Sequence, residues 1–143
     1  MSNLYDTDFY QWTQQQAAAL ASADVRKLDW LNLAEEIESL GKRDRRALGS
    51  ALDIIVLHLL KVVYQPERTS RRWYSSITEH RRRVRRDLAD SPSLRRQVAD
   101  LITDAYASVR RQTAQETGLP LETFPVECPW TAEQVLDDDF LPE

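Results

Sequence analysis

The sequence is poor in residues that interrupt or cross-link a chain, with one cysteine and three glycines in 143 residues. A lone Cys128 forms no internal disulfide, and without a Cys/His cluster around it a zinc knuckle is excluded too. So few glycines argue against a many-stranded β fold, whose tight turns need them. No apolar run reaches the roughly 20 residues of a membrane span. Residues 1–10 carry acids and no basic segment, so the expectation is a cytoplasmic chain with neither targeting signal nor membrane partner. Glycine-rich phosphate loops, nucleophile elbows and dinucleotide fingerprints are missing. Cys128 sits between Glu127 and Pro129 with no histidine near it in sequence, so no catalytic residue and no cofactor are expected.

What is present is the composition of a folded globular chain, 42% hydrophobic and 29% charged, at the length of one domain over 1–143. The spacing predicts an all-α fold, a single bundle of about five helices over 1–118 followed by a proline-rich strap over 119–143. The first helix starts after Asp6 or Thr7 and aligns Phe9, Trp12, Thr13, Gln16, Ala17 and Leu20. A second is capped by Asp29, presents Trp30, Leu33, Ala34, Ile37 and Leu40 as its core stripe, and stops at Gly41. The third, 44–65, is apolar nearly all round and so is read as central. A fourth aligns Trp73, Ile77, His80, Val84 and Leu88; a fifth starts at Ser91-Pro92 and ends at Gly118. The strap holds four of the six prolines, yet Leu121, Phe124, Trp130, Leu136 and Phe140 make it too apolar to hang free. Thr131 and Gln134 stand at capping-box spacing, which predicts one short helix to about Leu136.

Charge is segregated beneath a net of −4: residues 1–67 hold seven basic against ten acidic residues, 68–96 ten against three, and 97–143 two against ten. Every basic residue of the middle block is arginine, suited to forked pairing with carboxylate or phosphate. Arg71, Arg72, Arg82, Arg83, Arg85, Arg86, Arg95 and Arg96 form a candidate basic face. It suits phosphates of nucleic acid, or the acids Asp137, Asp138 and Asp139 within the chain or between chains; ion pairing is the reading favoured.

A second candidate is a polar cluster beside the core: Asp29, Asn32, Glu36, His58, Lys61, Tyr64 and Arg81. Asp29 and Glu36 are two helical turns apart with Asn32 between, bordering one apolar stripe. Inward Glu and His side chains build metal sites in helical bundles, which makes Glu36, His58 and His80 candidate ligands. Neither histidine follows a glutamate by three residues, so hydrogen-bonded structural roles are favoured, with Glu36 paired to Lys61 or Arg81.

Several motifs in one order carry a resemblance: Tyr5, Asp6, Asp8, Phe9 and Trp12; Asn32, Leu33 and Glu35 to Glu38, with Leu40 and Gly41; His58 to Lys61 with Tyr64 to Pro66; Trp73, Ser76, Ile77 and Arg81; Ser91 to Leu94; and Glu116 to Pro120 with Phe124, Pro125, Cys128, Pro129 and Phe140 to Pro142. On these the chain resembles the bacterial family known as domain of unknown function twenty-nine. The resemblance implies a helical bundle and no established activity, cofactor or catalytic residue. Arg72 departs from the small polar residue that the family pattern has before the tryptophan. The functional expectation is a non-catalytic module for protein interaction or self-assembly, as a homo-oligomer or with an acidic protein. The alternatives are nucleic-acid binding through the arginine helix and a metal-dependent enzyme using the Glu/His cluster.

Overall fold

The computed structural model describes residues 4–143 and contains no strand among them, so the all-α class is the one observed. The helices are α1 Leu4–Thr7, α2 Phe9–Ala21, α3 Trp30–Tyr64, α4 Arg71–Asp90, α5 Val98–Thr117 and α6 Ala132–Leu136, joined by short 3₁₀ turns. They belong to two compact units, one up to Arg43 and one from Asp44 to Glu143, and α3 contributes to both.

The expected stop at Gly41 is absent: the second and third helices of the sequence reading are one helix of 35 residues. A glycine inside a helix costs about 1 kcal/mol. Leucine, glutamate, lysine and arginine flank Gly41 and no proline follows until Pro66, so that cost does not end the helix. Gly41 also lacks the positive φ that a glycine stop uses.

In the first unit α2 is capped by Asp8, whose Oδ1 accepts from the Gln11 backbone N–H at 3.1 Å. Asp6 and Thr7, the expected caps, lie instead within the single turn of α1. The other end of α2 closes with paired bonds, Asp24 N–H to the Ala19 carbonyl at 2.9 Å and Ala23 N–H to the Leu20 carbonyl at 3.1 Å. This ending requires a left-handed residue at the position usually given to glycine, and here Ala23 takes it with φ 56°.

The second unit is built round the C-terminal half of α3. Leu48, Leu52, Ile55, Leu59 and Leu60 are fully buried, and Val56, Leu57 and Val62 nearly so, which makes this half central as its pattern requires. Ile77, Val84 and Leu88 of α4 and Val98, Ile102, Tyr106 and Val109 of α5 complete the core. A sequence this long and apolar also meets the length and composition of a membrane span; its apolar residues supply the core of this unit. Gly118 ends α5 with φ 73°. Beyond it Phe124 and Val135 are buried in the same core, and Thr131 and Gln134 make the reciprocal capping box at the start of α6.

Because Ala23 holds a conformation that costs an L-residue about 1 kcal/mol, Ala23→Gly is expected to leave the fold intact and raise the unfolding free energy by up to about 1 kcal/mol. Urea denaturation followed by circular dichroism measures this; a destabilised variant would show that the Ala23 methyl group makes a needed contact.

Candidate functional site

The polar residues of the first unit form a hydrogen-bonded seam between α2 and the start of α3. Trp12 is buried and its indole Nε1–H donates to Asp29 Oδ2 at 3.0 Å. Asn32 Nδ2 donates to the same oxygen at 2.8 Å. Gln16, also buried, clamps the intervening turn: its Oε1 accepts from Asp29 N–H at 2.8 Å and its Nε2 donates to the Lys27 carbonyl at 3.2 Å. One turn further along α3, Glu36 Oε1 accepts from the Tyr5 hydroxyl at 2.5 Å. Tyr5 in turn packs edge-on to Trp12 with ring centroids 4.9 Å apart, and Phe9 stacks on Trp12 at 5.5 Å.

These bonds set two titrations in opposite directions. Donation from Asn32 and Trp12 holds the Asp29 carboxyl below its ordinary range, so its contribution to stability is present above that range and disappears as pH falls through the lowered value. The Glu36 carboxylate pushes the Tyr5 phenol up to about 12, so the stability tied to its proton is full below the ordinary tyrosine value and disappears as pH rises through about 12.

The seam turns the polar edge of α3 toward α2. At 100° per residue Asp29, Asn32 and Glu36 lie roughly a third of a turn from the line Trp30, Ala34, Ile37 and Gly41. Trp30 and Ile37 of that line, both expected to be core, are therefore exposed, at 62% and 67%; Leu40, on the side of Asp29 and Glu36, is exposed too, and Leu33 between the two sides is half-buried. Phe9 and Leu20 are exposed on α2 as well.

The remaining members of the expected cluster belong to the second unit, each with its own partner. Glu36 is not paired with Lys61 or Arg81, which corrects the expected ion pair. Lys61 Nζ binds Glu116 at 2.9 Å and lies 5.7 Å from the Trp73 ring centroid. Arg81 is buried and donates from Nε to the Val135 carbonyl at 2.8 Å and from Nη2 to the Gln134 carbonyl at 3.2 Å. It fills the core position between Ile77 and Val84 that the sequence reading gives to His80, because its stem packs while its head meets carbonyls. Tyr64 stacks edge-on to Phe124 at 5.2 Å.

His80 and His58 are both half-buried. Nδ1 of His80 lies 2.7 Å from the Ser76 carbonyl and Nδ1 of His58 lies 2.9 Å from that of Ile54, so each Nδ1–H donates one turn back along its helix. Burial lowers the His58 pKa. Among the described residues no three His, Cys, Asp or Glu side chains are grouped as a metal ion would need, and Glu36, His58 and His80 are not brought together as ligands.

All eight arginines of the basic face are exposed. Arg82 grips Glu79 with both Nε (3.1 Å) and Nη2 (2.8 Å), and Arg83 Nε reaches the same carboxylate at 3.3 Å, holding it down to about 2. Arg85 pairs with Asp138 at 2.5 Å, one of the arginine-to-acid contacts that the charge blocks suggest. Arg71, Arg72, Arg86, Arg95 and Arg96 have no ion partner among the described residues. Arg82, Arg83 and Arg86 also line a groove of about 470 Å³ whose other wall is Ala47, Ser50, Ala51 and Ile54 of α3.

Sequence reasoning missed Tyr5, Trp12 and Gln16 as members of the seam. Gln16 carried a signal, a polar amide inside an otherwise apolar face. The family described as Domain of unknown function DUF29 matches residues 4–141. No curated protein and no solved structure matches the chain.

Spectrophotometric titration of the five tyrosines is expected to show Tyr5 and Tyr106 ionising late, each at about 12. Glu36→Gln removes the carboxylate beside Tyr5 and so returns one of these two toward the ordinary value of about 10. An unchanged titration of that variant would mean that Tyr5 is not bonded to Glu36.

Proposed function

We propose that this chain, which belongs to the Domain of unknown function DUF29 family, is a non-catalytic interaction module that presents the N-terminal half of α3 to another protein. The observation that carries the reading is the outward stripe of Trp30, Ala34 and Ile37. A helix amphipathic by sequence normally buries its apolar side. Here the neighbouring helix takes the polar edge instead, through hydrogen bonds that lock its orientation. Large exposed apolar side chains in one line mark a surface that associates.

The arginine face supports a lesser, structural part. Arg82, Arg83 and Arg85 have carboxylates within the chain, which fits ion pairing better than a stripe kept open for phosphate. The setting we propose is the cytoplasm, where the single thiol of Cys128 stays reduced.

A photoreactive amino acid placed at Ile37 in cells tests the reading, with Glu122, exposed on the second unit, as the control position. The expected result is a discrete protein adduct at position 37 and none at 122. No adduct at 37, or the same adducts from both positions, would overturn it.

A further inference from the structure

The stripe on α3 has an internal symmetry that identifies its occupant. Reading outward along one face, the side chains alternate large, small, large, small: Trp30, Ala34, Ile37, Gly41. Reversing the direction gives the complementary order. A second α3 laid antiparallel across the first, with its centre between Glu35 and Glu36, sets Trp30 over Gly41 of the other copy and Ile37 over Ala34. Both pairs then recur by the two-fold axis, as an isologous interface requires.

Gly41 supplies an independent observation. It lies inside a helix, where glycine costs stability relative to alanine. No positive φ requires it, and a Cβ built there meets no atom of the described residues within 4 Å. Nothing among the described residues thus calls for a bare backbone at this position. An indole arriving from outside does, because absence of a side chain lets a large ring approach the helix.

The exposed surface is also of sufficient size. Phe9, Leu20, Trp30, Ile37 and Leu40 are exposed. At roughly 100 Å² each they come to about 500 Å² per copy, the size at which specific interfaces part from incidental ones. Two helical hairpins joined in this way make a four-helix arrangement, which buries faces that two helices alone leave wet.

Resting on the interaction reading above, we infer that the partner is a second copy of this chain, joined through antiparallel α3 segments with Trp30 seated on Gly41. The interface is apolar, so raised salt does not dissolve it, unlike an assembly held by arginine and acid pairs.

Sedimentation equilibrium of the full chain, with Gly41→Leu and Ile37→Glu, tests this. The expected wild-type mass is twice the 16.6 kDa of one chain at low and high salt. Gly41→Leu, which favours the helix and whose Cβ meets no described atom within 4 Å, is expected to keep the helical spectrum and weaken the dimer by about tenfold or more. Ile37→Glu is expected to give monomer. Mass spectrometry of the position-37 adduct is expected to place its other end near Ala34 of an identical chain. A monomeric wild type, or a dimer indifferent to both substitutions, would overturn the inference. An adduct at 37 to a different protein would overturn it while leaving the interaction reading intact. Loss of all adducts would defeat both.

Discussion

The hydrogen bond from the Trp12 indole to Asp29, with its companion from Tyr5 to Glu36, determines the rotation of α3 about its own axis in the first unit. A helix can in principle roll to bury whichever side is most apolar. Here two carboxylates, spaced seven residues apart and so on one side, are tied to aromatic donors of the preceding segment. Rolling Trp30 and Ile37 inward breaks both bonds, and a buried polar group without a partner costs about 1–3 kcal/mol. The exposed stripe follows from this restraint.

One continuous helix therefore serves two purposes. From Leu48 to Val62 it is the core of the second unit, surrounded by α4, α5 and the segment that follows Gly118. From Trp30 to Arg43 it carries an amphipathic pattern in which Trp30, Ala34 and Ile37 stay exposed among the described residues. Gly41 lies at the end of that stretch. The arginines of α4 are a different kind of surface. One, Arg81, is buried and holds the C-terminal segment through two carbonyls, whereas its neighbours Arg82 and Arg83 share a carboxylate of their own helix at the surface. Pairs that exposed contribute little to stability.

Much of the helical architecture was legible from spacing alone. The central, nearly all-apolar stretch of α3 from Asp44 onward, the glycine end at Gly118 and the capping box at Thr131 all follow from local rules that tertiary context left alone. The fusion across Gly41 was not, because glycine is a common helix stop and a local pattern does not show that the helix formers on both sides outweigh its cost. Arg81 was recognised as polar and near the core, but its partners are backbone carbonyls more than fifty residues away, and carbonyls have no signature in a sequence. The outward roll of α3 was hidden for the same reason. Periodicity reports which side chains share a face, and it does not say which face a distant tyrosine and tryptophan will hold.

Amide hydrogen exchange along α3, compared at protein concentrations well above and well below that of assembly, tests most directly whether the two halves live under different constraints. The account predicts that amides of residues 30–43 lose protection on dilution while those of residues 48–62 keep theirs. Equal protection of both halves at every concentration would contradict it.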